Sequence, residues 1–210
     1  MRTVSEVAAG AFATWADEAR AAQAGDADAT VPCAGCTACC RSSFFVHIGP
    51  EETEALRRIP PELLVRAPGL PDGYKVLGYD ERGHCPMLVD DRCSIYEHRP
   101  LTCRKFDCRV LSAAGLEPDG PGQDALIERV RQWRFDLGAP RDRAVRDAVH
   151  AAVAFLDEHP ECFEPGRNPV NAVQRSVTAL AVHELFLDAE GGIADPDTEA
   201  VAAALARMAE

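Results

Sequence analysis

Cys33-Ala34-Gly35-Cys36-Thr37-Ala38-Cys39-Cys40 is the stretch on which the reading of this chain turns. Two residues between successive cysteines let the backbone turn back, so Cys33, Cys36 and Cys39 can face one centre as a tripod of thiolates. A tripod joined by a remote fourth cysteine suits a cubane iron–sulfur cluster. Structural zinc more often draws on two separated pairs. The small residues in between let backbone N–H groups approach the sulfurs, which serves either metal. Adjacent Cys39 and Cys40 cannot easily serve one ion together, which points to two centres or to one spare thiol.

Working outward, Cys85, Cys93, Cys103 and Cys108 form a second group. Together the two groups hold eight candidate ligands, enough for two four-coordinate sites, or for one site plus redox or structural thiols. Inert buried cysteines are common, but they seldom cluster at metal-type spacing. Arg92, Arg99, Arg104, Lys105 and Arg109 crowd the second group. Four thiolates leave either metal centre anionic, so these cations offset charge and lower thiol pKa values. Binding an anionic substrate or a phosphate is the lesser use of that patch. His84 and His98 read as surface or supporting residues rather than ligands. His47, His150, His159 and His183 read as structural, and Cys162 as an ordinary thiol.

The chain of 210 residues, 47% hydrophobic and 27% charged, can build a core without cross-links, so its cysteines are not there to rescue a small scaffold. Nine cysteines cannot all pair within the chain. Residues 1–24 carry Glu6, Asp17 and Glu18 and do not read as an export signal. The expected compartment is the cytoplasm, where thiols stay reduced. A formal net charge of -12 disfavours nucleic acid and anionic membranes, and no apolar run reaches membrane-spanning length. The expected partner is a protein or a substrate that the sequence does not name.

Periodicity predicts the elements. Val4, Val7, Ala8, Ala11, Trp15 and Ala19 follow a helical stripe, with Thr3 and Glu6 as its capping box. A strand-like run covers Phe44 to Ile48. Short helices run from Pro50 to about Arg58 and from Pro61 to about Arg66, a loop covers 67–73, and a strand covers Lys75 to Tyr79. Cys85–Val89 and Cys93–Tyr96 read as a hairpin across Asp90-Asp91-Arg92. A three-residue loop is expected, because a two-residue loop would turn Cys85 and Cys93 to opposite faces. Gly115 to Gly122 is turn-rich. Helical stripes follow over 126–137, stopped by Gly138, over 145–156, and over 170–185 with Asn168-Pro169 as the cap. Asp195-Pro196 opens a last, alanine-rich helix.

The fold class expected is α+β and mostly α. A small cysteine-rich metal-binding core with a short β-hairpin packs with N-terminal and C-terminal helices. The divisions expected are 1–30 (helix and linker), 31–112 (cysteine cluster) and 113–210 (helical region).

The first cluster, followed by Cys93-Ser94-Ile95-Tyr96-Glu97-His98-Arg99-Pro100-Leu101-Thr102-Cys103-Arg104-Lys105-Phe106, resembles the YkgJ-type cysteine-cluster family, described as zinc- or iron-chelating proteins. The resemblance covers about residues 31–110. It implies that Cys33, Cys36, Cys39, Cys40, Cys85, Cys93 and Cys103 belong to the signature, with Cys108 as an eighth ligand. It further implies that Ile95 and Tyr96 anchor a strand in the core, that Arg99-Pro100 fixes the turn returning Cys103 to the metal, and that Arg104 braces thiolates or carbonyls.

Three functions compete: an iron–sulfur protein with a redox or enzyme-supporting role, a structural zinc module that presents a surface to a partner, and an S-adenosylmethionine-dependent protein lysine methylase. The last is suggested by flagellin methylases, which are similar in carrying such a cluster. Asp119-Gly120-Pro121-Gly122 lacks the strand–helix flanks of a nucleotide cradle and reads as a turn. Thiol redox chemistry at Cys39-Cys40 is a fourth option, without a supporting fold pattern. No catalytic residue is assigned.

Overall fold

A strand opens the described chain in the computed structural model, which describes residues 5–25 and 35–208. β1 (Val7–Ala11) comes first, and α1 (Phe12–Ala24) begins only after it. The helical stripe expected from Val4 is therefore corrected over its first half. Gly10, at φ 94°, sits where the pairing register shifts, a backbone that suits glycine and not a helix. Thr3 of the expected capping box lies outside the described residues.

β2 (Val46–Ile48) and α2 (Thr53–Arg58) follow. The second short helix expected from Pro61 is only a single 3-10 turn, Pro61–Leu63, before β3 (Leu64–Arg66). β4 (Lys75–Leu77) lies between β2 and β3 and pairs antiparallel with both. That pairing draws Leu64–Arg66 into a sheet, overriding its local helical look. β5 (Leu88–Val89) and β6 (Arg92–Cys93) make the hairpin. α3 (Leu101–Lys105) and α4 (Arg109–Ala113) are single short turns of helix.

The stripe read over 126–137 is also corrected. It divides into α5 (Asp124–Val130) and β7 (Trp133–Asp136), and β7 pairs parallel with β1. α6 (Pro140–Glu158), α7 (Ala172–Val182) and α8 (Thr198–Met208) complete the chain. α7 is capped by Asn171, whose side chain accepts the Gln174 N–H at 2.9 Å, rather than by Asn168. No helix among the described residues is long and apolar enough to cross a membrane.

The elements fall into two units that interleave along the sequence. One comprises the described residues of 1–24, 108–119 and 130–210. The other comprises the described residues of 25–107 together with 120–129. The first helix thus shares a unit with the last ones, and 120–129 shares one with Cys36, Cys39, Cys40, Cys85, Cys93 and Cys103.

In the first unit, the Phe12, Trp15 and Phe135 rings pack with centroids 4.8 to 5.6 Å apart. Asp142 is buried at the start of α6. One carboxylate oxygen accepts the Ala13 N–H at 2.9 Å and the other the Ala139 N–H at 3.2 Å. A single negative group therefore satisfies orphan donors at two helix N-termini. Ala148, Ala152 and Ala179 are fully buried, and such small side chains let helix backbones approach closely.

In the second unit, Ile48, Ile59, Leu77, Met87 and Ile95 form the core, and Cys85, Cys93 and Cys103 pack against it. Each large aliphatic buried here contributes roughly 1.5–3 kcal/mol. The cysteines are therefore held by an apolar core built without them.

Candidate metal centre

Cys39 and Cys40 stand on a 3-10 turn, Cys39–Arg41. Ser42 fixes this turn by donating from its hydroxyl to the Ala38 carbonyl at 2.8 Å. The link to the second cysteine group is made by backbone: the Cys85 N–H donates to the Cys40 carbonyl at 2.8 Å. Just before Cys85, Asp80 shapes a tight loop. Its carboxylate accepts the N–H groups of Arg82 and His84 at 2.9 Å each. The His84 N–H foremost, and then the Arg82 guanidinium, hold the Asp80 carboxyl at about 2.

The hairpin has a two-residue loop, not the three-residue loop expected. Leu88 pairs with Cys93 and Val89 with Arg92, leaving Asp90 and Asp91 in the turn at φ 47° and 58°. Two consecutive positive φ values fit the right-handed twist of a tight hairpin, and aspartate tolerates them better than most residues. The facing rule does not bind Cys85, because Cys85 lies outside the paired strands. The Leu88 N–H donates back to the Cys85 carbonyl at 2.9 Å, so the chain turns between them and strand alternation stops there. Arg41 pairs with Asp91, tying the hairpin loop to the turn that carries Cys39 and Cys40.

Cys103 rides on α3. Arg99 is extended before Pro100, as a residue preceding proline must be, and Pro100 starts the helix. Glu52 caps α3 from a distance: its carboxylate accepts the Leu101 N–H as well as the Gly49 N–H. Thr102 Oγ1 donates to the His47 carbonyl at 2.7 Å.

Cys85, Cys93 and Cys103 pack against the same apolar cluster of the second unit, and Cys39 acts on each of their thiols. Burial chiefly raises the Cys85 thiol, with Cys93 and Cys39 adding to it. Burial likewise raises Cys93, and Cys39 adds to it. Cys103 is pushed up to about 12, first by burial and then by Cys39, Cys85 and Cys93. Cys39 is raised above the ordinary thiol value foremost by its hydrogen bond with the Cys40 thiol. Solvent still reaches Cys39, so that thiol–thiol contact counts for more there than burial.

Two of the sulfurs already have backbone donors. Cys85 accepts the N–H of Met87, and Cys93 accepts that of Ile95, each two residues further on. Such donors favour the charged thiolate and steady it once ionised. Among the described residues, no three His, Cys, Asp or Glu side chains are drawn in to a ready ion-binding set. Ligation requires the thiol protons to leave. An all-sulfur set of four fits a soft metal centre, zinc or iron–sulfur.

The remaining candidates are placed differently. Cys33 lies outside the described residues. Cys36 and Cys40 are half-buried free thiols, as Cys85, Cys93 and Cys103 are, and the Cys40 thiol hydrogen-bonds that of Cys39. Cys108 belongs to the first unit, where it is buried and its sulfur accepts the Trp133 indole N–H at 3.2 Å. Arg109 also belongs to that unit. It lies near the Trp15 and Trp133 rings and donates to the Ala9 carbonyl. Tyr96, expected to anchor a strand in the core, is exposed and follows Ile95 into a 3-10 turn; Ile95 alone is buried.

Sequence reading missed Glu52 and Asp80. Asp80 had a local signal, an acid four residues before His84, as in a capping turn. Glu52 has a local partner in the Gly49 N–H, but its cap on α3 lies 49 positions away and leaves no local signal.

Residues 32–120 match the family model CxxCxxCC, described as "Putative zinc- or iron-chelating domain". The matched segment contains all four of the coupled thiols. No curated protein and no solved structure matches the chain.

Proposed function

We propose, starting from a zinc- or iron-chelating cysteine domain at residues 32–120, that Cys39, Cys85, Cys93 and Cys103 hold one iron–sulfur cluster in a redox or enzyme-supporting role. The observation that carries this is the packing of Cys85, Cys93 and Cys103, from separate elements, against one apolar cluster, with Cys39 acting on all three thiols. Both centres close with four thiolates; the Cys33-x-x-Cys36-x-x-Cys39 spacing is of the kind that binds clusters and favours a cluster over structural zinc. When bound, such a cluster supplies one-electron chemistry at a potential set by its charge, its burial and the N–H groups on its sulfurs. The chain's own part is to hold Cys85, Cys93 and Cys103 on an apolar core and to aim the Met87 and Ile95 amides at two of them. Cys33, Cys36, Cys40 and Cys108 remain further candidate ligands, Cys108 with the least support.

Structural zinc is the second reading. The N–H donors on Cys85 and Cys93 favour it, since paired thiolates braced by backbone amides suit a single ion equally well. Optical spectroscopy on protein purified without oxygen separates the two. The cluster reading expects a brown protein that bleaches in air and a Cys103→Ser variant without the colour. A colourless wild-type protein that takes up zinc and unfolds with chelator would replace it with the second reading.

A further inference from the structure

The helix that carries Cys103, α3, is only 5 residues long, and so short a helix has little stability of its own. Pro100, its N-cap residue, offers no side-chain cap. What fixes the helix is the remote segment 47–52. The Leu101 N–H donates to the Glu52 carboxylate, and Thr102 Oγ1 donates to the His47 carbonyl at 2.7 Å. The two residues just before Cys103 are thus both tied to one stretch of chain.

Glu52 is itself held in place. Its N–H donates to the Gly49 carbonyl at 3.1 Å, and its Oε1 accepts the Gly49 N–H at 2.8 Å. This reciprocal pair fixes the side chain and leaves Oε2 for Leu101. The Glu52 carbonyl in turn accepts the Leu56 N–H at 3.0 Å, which anchors the turn to α2. Ala55 of α2 is buried in the same apolar cluster that Cys103 packs against. One carboxylate therefore joins two elements of that cluster. Both of its oxygens are used, and glutamine cannot replace it: an amide has a single acceptor oxygen, and its NH2 would face a second N–H.

We propose that Glu52 is a positioning residue for the metal centre, its carboxylate holding the first turn of α3, and with it Cys103, in place for ligation. The inference rests on the metal-centre reading above and adds to it a residue outside the cysteine signature.

A double-mutant cycle tests this, with zinc as the probe and the full chain in reductant at one pH. Zinc affinity is measured against a chromophoric chelator for the wild type, Glu52→Gln, Cys103→Ser and the double variant. Circular dichroism checks that each metal-free chain folds. Glu52→Gln is expected to weaken zinc binding about ten- to a hundredfold, the usual cost of losing an outer residue that orients a ligand. In the Cys103→Ser background the same change should cost no more than about twofold, because the sulfur it serves is gone. Cys93→Ser is the control: there the Glu52→Gln loss should persist. A Glu52→Gln chain with wild-type affinity, or a loss equally large without Cys103, would overturn the positioning role and leave the metal centre standing. A folded wild-type chain that binds no zinc would overturn the metal-centre reading itself, and the inference with it. Amide hydrogen exchange of the wild-type chain needs no variant. Coupling is reciprocal, so zinc should slow exchange at the Leu101 N–H by about tenfold. Unchanged exchange there in zinc-loaded protein would count against the proposal.

Discussion

Replacing Cys39 and Cys40 one at a time by alanine separates a ligand from its neighbour. Structural zinc binding to thiolate sites is worth about 10–16 kcal/mol at neutral pH. Shared evenly over Cys39, Cys85, Cys93 and Cys103, that is roughly 3–4 kcal/mol per ligand, or about two to three decades of affinity. Cys39→Ala should therefore weaken zinc binding by about a hundred- to a thousandfold. Cys40→Ala removes only a hydrogen-bond partner, worth about 0.5–1.5 kcal/mol. The direction of that second effect also follows from the geometry. The Cys40 thiol is the foremost cause of the raised Cys39 pKa, so without it Cys39 ionises more readily. Cys40→Ala should stay within about tenfold of wild type and on the tighter side. Competition against a chromophoric chelator, in reductant and at one pH, measures both variants. Equal losses in the two variants, or the larger loss in Cys40→Ala, would refute the assignment of Cys39 as the ligand of the vicinal pair.

Zinc binding at neutral pH should expel close to four protons per ion, because the thiols of Cys39, Cys85, Cys93 and Cys103 all lie above the ordinary thiol value in the metal-free state. Indicator titration in weak buffer counts them, and release of two or fewer would mean that fewer sulfurs ligate. Asp142→Ala leaves two N–H donors at helix starts without their acceptor and should destabilise the first unit by about 2–4 kcal/mol. Urea unfolding followed by tryptophan fluorescence reads this unit alone, since both tryptophans, Trp15 and Trp133, belong to it. His183 is buried in the same unit with its pKa lowered, first by burial and also by Arg20, while Glu184 and Asp17 act the other way. Its unfolded state binds the proton more readily, so stability is full above the ordinary value of 6.5 and falls as pH drops below it. His183→Gln should flatten that acid limb in a pH series of urea midpoints.

The cysteine motif, α6, α8 and β4 were legible because each depends on local signals: ligand spacing, an apolar stripe, or a cap. The strands β1 and β7 were not. Val7–Ala11 and Trp133–Asp136 each continue the helical stripe of a neighbouring true helix, and what makes them strands is their pairing with each other across more than a hundred residues. Helical periodicity cannot report a partner that distant. The hairpin loop shows the converse case. Alternation was the right rule for Leu88 to Cys93, but Cys85 escapes it through the turn closed by the Leu88 N–H. Within the site, the sulfur-rich donor set could be read in advance. The capping of α3 by Glu52 and the placing of the Cys108 sulfur under the Trp133 indole N–H depend on tertiary contacts.

Iron, zinc and acid-labile sulfide per chain, measured on protein purified without oxygen, test the central claim most directly. The account predicts iron and sulfide in matching amounts, falling together when Cys39, Cys85, Cys93 and Cys103 are replaced. Stoichiometric zinc without sulfide would contradict the iron–sulfur reading, and neither metal in a folded chain would contradict metal binding itself.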